Sequence, residues 1–135
     1  MNDALVRLAT RSHALSATVM DEGYAVWGEA NAEGVIREPL VDQVERFYRL
    51  EIEPRISEMR HGVTVSMHSL TGPDYYIAQS FASLYVVIIW FGAPFDVFSA
   101  TEALRAALPE IEAITLSLPP WDGPDAGSGG VAKRA

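Results

Sequence analysis

His13, His61 and His68 are the side chains of this chain whose ordinary pKa lies near neutrality, and there is no cysteine. General acid and base catalysis at neutral pH would run most readily through those imidazoles, with carboxylates to orient them. Their placement argues against it. His13 precedes a strand, and His68 falls on the water-facing side of another. His61 ends a helix, where a partly charged imidazole interacts favourably with the terminal carbonyls. No two histidines share one element at metal-ligand spacing, and a chain without cysteine has neither thiolate ligands nor disulfides. Asp42, Glu45 and Glu51 stand four residues before Arg46, Arg49 and Arg55. Such pairs each support a helix by about 0.2–0.5 kcal/mol and mark a solvated face. A Gly-x-Ser-x-Gly elbow, a phosphate-cradling glycine loop and a dinucleotide fingerprint are missing from the sequence. The expectation is a protein with no catalytic residue, no metal and no cofactor, whose chemistry is contact with other proteins.

Contacts of that kind need a rigid scaffold, and its strongest signal is the run Leu84-Tyr85-Val86-Val87-Ile88-Ile89-Trp90-Phe91, closed by Gly92. The run is too short to cross a membrane as a helix, and its β-branched and aromatic content favours a strand. It predicts a strand buried on both faces, central in a sheet with apolar layers above and below, hence an α/β (α+β) domain. Ahead of it, residues 3–11 place Leu5, Leu8 and Ala9 on one side of a short helix. Leu15, Ala17 and Val19 then alternate with Ser16 and Thr18 as a first strand, and Asp21-Glu22-Gly23 predicts a tight hairpin into a second over 24–29.

After a loop over 31–38, Pro39 opens a long helix with Leu40, Val44, Phe47, Tyr48, Ile52, Ile56 and Met59 at steps of three and four. Pro54 predicts a kink or stop near Ile52, with a last turn reaching Arg60. Val63, Val65 and Met67 alternate with Thr64, Ser66 and His68 as a third strand, and Thr71-Gly72-Pro73-Asp74 is turn chemistry leading to a fourth over 75–82. Ser99 with Glu102 reads as the capping box of a last helix containing Leu104, Ala107 and Leu108. Residues 110–118 fit either a second helical piece begun by Pro109, slightly favoured, or an edge strand.

At 135 residues the chain is one domain, with a core large enough to stand without staples. The domain spans 1–118. From Pro119 the composition, rich in Pro, Gly and Ser, cannot bury enough apolar surface to order itself, so 119–135 is expected to be a flexible tail. The formal charge of −8 opposes nucleic acid and anionic membranes, and no Lys/Arg cluster overrides it. Without cysteine, and without a continuous apolar leader near Met1, the expected compartment is the cytoplasm.

The order helix, two-strand hairpin, long helix, three-strand meander, helix resembles a Roadblock/LC7 domain within the profilin-like architecture. The resemblance covers residues 1–118 and is sharpest from Val63 to Leu108: an alternating strand, a turn ending Gly72-Pro73-Asp74, Tyr75-Tyr76-Ile77-Ala78, a break at Ala82-Ser83, the apolar run, and a helix entered through a short loop. It implies a five-stranded antiparallel sheet ordered 2-1-5-4-3. Two departures stand out: Asp21-Glu22-Gly23 is one residue shorter than the family's usual Asp-x-x-Gly, and Pro54 falls late in the long helix.

The resemblance further implies a non-catalytic dimer, joined through the long helix and third strand, that serves a small Ras-like GTPase or another Roadblock protein. The acidic, Arg-rich composition is similar to the bacterial MglB and MglC type, which regulates or scaffolds a polarity GTPase. On the residues themselves, the long helix carries a wider apolar stripe than one small sheet face requires, and the excess is an association surface. The expected homodimer interface is Leu40, Val44, Phe47 and Tyr48, with Val63, Val65 and Met67 at its seam. The rival readings are a class I type III secretion chaperone, with three strands before the middle helix, and a small-ligand domain or enzyme with a polar-lined pocket.

Overall fold

The computed structural model describes residues 1–21, 26–31, 49, 53–70 and 75–118. The elements in order are helix α1 (Asn2–Arg11), strands β1 (Ser16–Asp21) and β2 (Val26–Asn31), a 3₁₀ turn (Glu53–Arg55) running into helix α2 (Ile56–Arg60), strands β3 (Ser66–Ser69), β4 (Tyr76–Phe81) and β5 (Tyr85–Trp90), and helix α3 (Val97–Ser117). The strands form one sheet ordered β2-β1-β5-β4-β3, with every neighbouring pair antiparallel. This is the expected order, and the apolar run lies at its centre. Of the long helix expected from Pro39, the last turn to Arg60 is described; Leu40, Val44, Phe47 and Tyr48 lie outside the described residues.

Strand β5 belongs to two cores. Val87, Ile89 and Phe91 face Leu5, Leu8 and Ala9 of α1 and Ala100, Leu104 and Ile111 of α3. Val86, Ile88 and Trp90 face the other way, in a cluster with Met20, Met59, Val65, Tyr76 and Ala78. Strand β1 is likewise buried on both sides, so its alternation of Ser16 and Thr18 with Ala17 and Val19 marks no wet face. The Ser16 and Thr18 hydroxyls are buried and have no hydrogen-bond partner among the described residues. Helix α1 comes so close to β2 that a Cβ at Gly28 would run into Met1 and Leu5, which is why the strand carries glycine there.

Glu22 and Gly23 of the expected Asp21-Glu22-Gly23 hairpin lie outside the described residues, and the second strand is described over Val26–Asn31. Two expectations are corrected. The last helix is capped by Asp96, whose carboxylate accepts from the Phe98 and Ser99 N–H groups at 3.0 and 3.3 Å. Ser99 is already helical, and Glu102 pairs with Arg105 instead of closing a box. Finally, α3 runs unbroken through Pro109 to Ser117. A proline in a helix interior costs about 3 kcal/mol. Stopping there would expose Ile111, which is fully buried, and each such side chain contributes about 1.5–3 kcal/mol. Pro109 is itself exposed, so the carbonyl it leaves unbonded meets water.

Candidate interaction surface

The sheet has two edges, and local chemistry builds them differently. The β3 edge begins with a helix stop. Gly62, at φ +83°, lets its own N–H reach the Met59 carbonyl and the Val63 N–H reach that of Glu58, both at 2.9 Å. This is a Schellman closure, which turns the chain sharply away from α2. Just before it, Arg55 grips Glu58 through two nitrogens at 3.0 and 3.3 Å; Glu51, the partner expected from the sequence, lies outside the described residues. The hydrogen bond from Arg55 holds the Glu58 carboxyl below the usual carboxylate range. As a half-exposed pair it adds little to stability. What it adds is present at neutral pH and fades as the pH falls through that lowered value.

Beyond the turn, Val63 is 49% exposed while Val65 drops to 2% against Met59. Ser80 fixes Val65 twice: its Oγ accepts the Val65 N–H at 2.6 Å, and its own N–H donates to the Val65 carbonyl at 2.8 Å. Val65 and Ser80 are therefore a hydrogen-bonded pair. In an antiparallel ladder such pairs come at every second residue. With Met67 opposite Ala78 and Ser69 opposite Tyr76, the inward-bonding residues are 65, 67 and 69. The N–H and C=O groups of Thr64, Ser66, His68 and Leu70 consequently point out of the sheet. No other described strand pairs with them. Val65 and Met67 share the face of Met59, whereas the Ser66 and His68 side chains are exposed. No Asp, Glu, Lys or Arg occurs between Arg60 and Asp74.

The β2 edge is guarded. Val19 pairs with Gly28 and Met20 with Val26, so Trp27 is an extra, bulged residue. Its indole N–H donates to Asp21 Oδ2 at 3.0 Å, and its ring meets Tyr85 edge-on at a centroid distance of 5.5 Å. Glu29 adds a charged residue in mid-strand. A bulge and a charge are two of the devices by which natural sheets stop edges from pairing with other chains.

Of the seven residues expected at an interface, the structure brings Val65 and Met67 together and sets Val63 outside them, and the other four lie outside the described residues. Leu70, 53% exposed just past β3, was missed; it follows Thr64, Ser66 and His68 in the even-numbered set, which read as the polar face. His13 lies between α1 and β1, His61 caps α2 and His68 lies on β3; all three are exposed. Among the described residues no group of three or more His, Asp or Glu could hold a metal ion, and no helix is long and apolar enough to cross a membrane.

No protein-family model matches the chain, and no curated protein matches it in sequence. Solved structures do match. MglB of Myxococcus xanthus aligns with a TM-score of 0.60 at 15% identity, over 87% of this chain and 95% of that one. MglC of Myxococcus xanthus gives 0.61 at 13% identity, over 83% and 96%. A Roadblock/LC7 domain from Streptomyces avermitilis gives 0.60 at 12% identity, over 87% and 98%.

Proposed function

From a chain with the Roadblock/LC7 fold, we propose a non-catalytic, cytoplasmic homodimer that acts by contact with a small Ras-like GTPase or with a second Roadblock protein, in bacterial polarity or motility control. The observation that carries this reading is the open, uncharged β3 edge in a fold similar to that of MglB and MglC. The proposed interface is Leu40, Val44, Phe47 and Tyr48 with Val63 and Met67 at the seam, and Val65 supporting that seam from the core. Residues 1–118 are the proposed domain and 119–135 a flexible tail. The sequence offers no phosphate-binding loop with a carboxylate-held Mg²⁺ site, which phosphoryl transfer requires. A secretion chaperone would place three strands before its middle helix; among the described residues two precede Glu53.

The test has two arms. Pull-down from the native cell with mass spectrometry should recover a Ras-like GTPase or a Roadblock protein, and recovery of neither would overturn the partner assignment. Phe47→Asp should yield monomers in analytical ultracentrifugation, because burying an unpaired carboxylate costs several kcal/mol. A folded variant of unchanged dimer mass would remove Phe47 from the interface.

A further inference from the structure

We propose that the turn between β4 and β5 is a hinge through which two copies exchange their C-terminal units, with β5 of each copy entering between β1 and β4 of the other and α3 packing beside the other's α1. The exchange goes beyond the dimer reading above and uses other surfaces. Three observations carry it.

The first is strain in the turn. Phe81 lies opposite Tyr85, so Ala82, Ser83 and Leu84 reverse the chain. Ala82 and Ser83 stand at φ +53° and +66°, the left-handed region in which a Cβ crowds the following carbonyl oxygen. Hairpins usually fill such positions with Asn or Gly. In an extended chain both residues are relieved.

The second is composition. From Tyr75 to Phe91 the sequence holds no Gly, Pro, Asn or Asp, so the residues that build turns are missing where the chain must turn. Locally the stretch reads as one long strand, and the reversal is imposed by the contacts that β5 makes once it has folded back. The spacing also suits an extended form. With three residues between Phe81 and Tyr85, straightening keeps Phe81, Ser83 and Tyr85 on one face and Ala82, Leu84 and Val86 on the other. Two straightened copies then pair antiparallel about a two-fold axis at Ser83, with Phe81 of one opposite Tyr85 of the other.

The third is that exchange sacrifices no contact within the fold. Strand β5 pairs with β1 and β4, and its Val87 and Ile89 share a core with Leu104 and Ile111 of α3 and Leu5 and Leu8 of α1. All of these contacts re-form between chains, including the Phe81–Tyr85 stacking at 5.5 Å and the Arg7–Glu110 ion pair. What distinguishes the closed form from the exchanged one is the turn, and a short strained hinge favours exchange. Leu84, 40% exposed at the turn, gains Ala82 of the second copy as a strand neighbour.

The chain has no cysteine, and Asp21 on β1 lies opposite Tyr85 on β5, both half-exposed. Cα atoms so placed are about 4.5–5.5 Å apart, within disulfide reach. Asp21→Cys and Tyr85→Cys, carried on separate chains, are unfolded in urea, mixed, refolded together at high concentration under reducing conditions and then oxidised. The mixture should give at least tenfold more covalent dimer than either variant alone. A dimer through the long helix and β3 keeps each β1 beside its own β5 and gives no such link. With Ala82→Asn and Ser83→Gly added to both chains the linked fraction should fall at least tenfold, because these residues accept a left-handed turn, whereas Ser83→Val should raise it. Val19→Cys with Val87→Cys, an opposed pair deeper in the sheet, repeats the measurement with Asp21 and Tyr85 in place, and melting curves of the reduced chains show that each is folded. No mixed link at either pair would overturn the exchange. Links indifferent to residues 82 and 83 would overturn the hinge.

Discussion

At one edge of the sheet, β2 bends around a bulge, ties its extra residue Trp27 back to Asp21 and carries Glu29 in mid-strand. At the other, β3 has four residues, no bulge in its pairing with β4 and no charge between Arg60 and Asp74. Both edges leave a row of backbone groups to be satisfied, and water can satisfy either. The difference lies in what else is admitted. Edge strands are a standing hazard for association, and proteins blunt those they do not use. Among the described residues one edge is guarded and the other is not, which is the division the proposed function requires between a surface for solvent and a surface for protein.

The same substitution at both edges is the sharpest way to break this contrast. Ser66→Lys puts two ammonium groups into the seam and should weaken dimerisation at least 100-fold, with sedimentation velocity across a concentration series as the readout. Val26→Lys, on a half-exposed residue of the guarded edge, should leave the dissociation constant within about threefold, as surface changes typically fall within about 0.5 kcal/mol. Equal losses at the two edges would erase the distinction. A smaller effect is expected at Ser80→Ala, which strips the buried Val65 N–H of its acceptor. Urea denaturation should show a loss of about 1–3 kcal/mol. A neutral result would mean that the β3 edge does not depend on that bond. The smallest effect belongs to the other side: Asp21→Ala should cost about 1 kcal/mol by freeing the Trp27 indole N–H, which is only part-buried. Asp21→Asn, which keeps an acceptor, should recover about half of that in the same measurement.

The parts of this fold that were legible in the sequence are those where one signal had no competitor. Leu84 to Phe91 has a single reading, and the sheet order followed from its central place and the resemblance. Misreadings arose where two local rules met. Asp96 and Ser99 both suit a helix N-cap, and the choice fell to Asp96 because its backbone is extended while Ser99 already lies inside the helix. Pro109 reads as a breaker until the burial of Ile111 is set against it. The alternation of Ser16 and Thr18 with Ala17 and Val19 marked a strand and left their exposure open; both are buried, because β1 is covered on both sides. At the candidate surface, Val65 and Met67 were readable from alternation. The outward set of backbone groups was not, since it depends on which pairs of the β3–β4 ladder are bonded, and Ser80 decides that from fifteen residues away. The bulge at Trp27 had no sequence signature, because it exists only relative to β1.

The pairing of β1 with β5 also sets a clock. Ala17 waits for Ile89, and ribosomes add about 5–20 residues per second, so β5 arrives roughly 4 to 14 seconds after β1 has been made. For that interval the inner flank of β1, later paired along its whole length with β5, is a bare strand edge on a nascent chain. Long-range closures of this kind are slow and expose such surfaces to neighbours. On a polysome the nearest neighbour is another copy, a little longer or shorter, whose own β1 can be in the same unpaired interval. The edge through which the proposed dimer would form is thus preceded by one that has to stay unpaired with other copies, and β5, on arriving, closes that earlier opening.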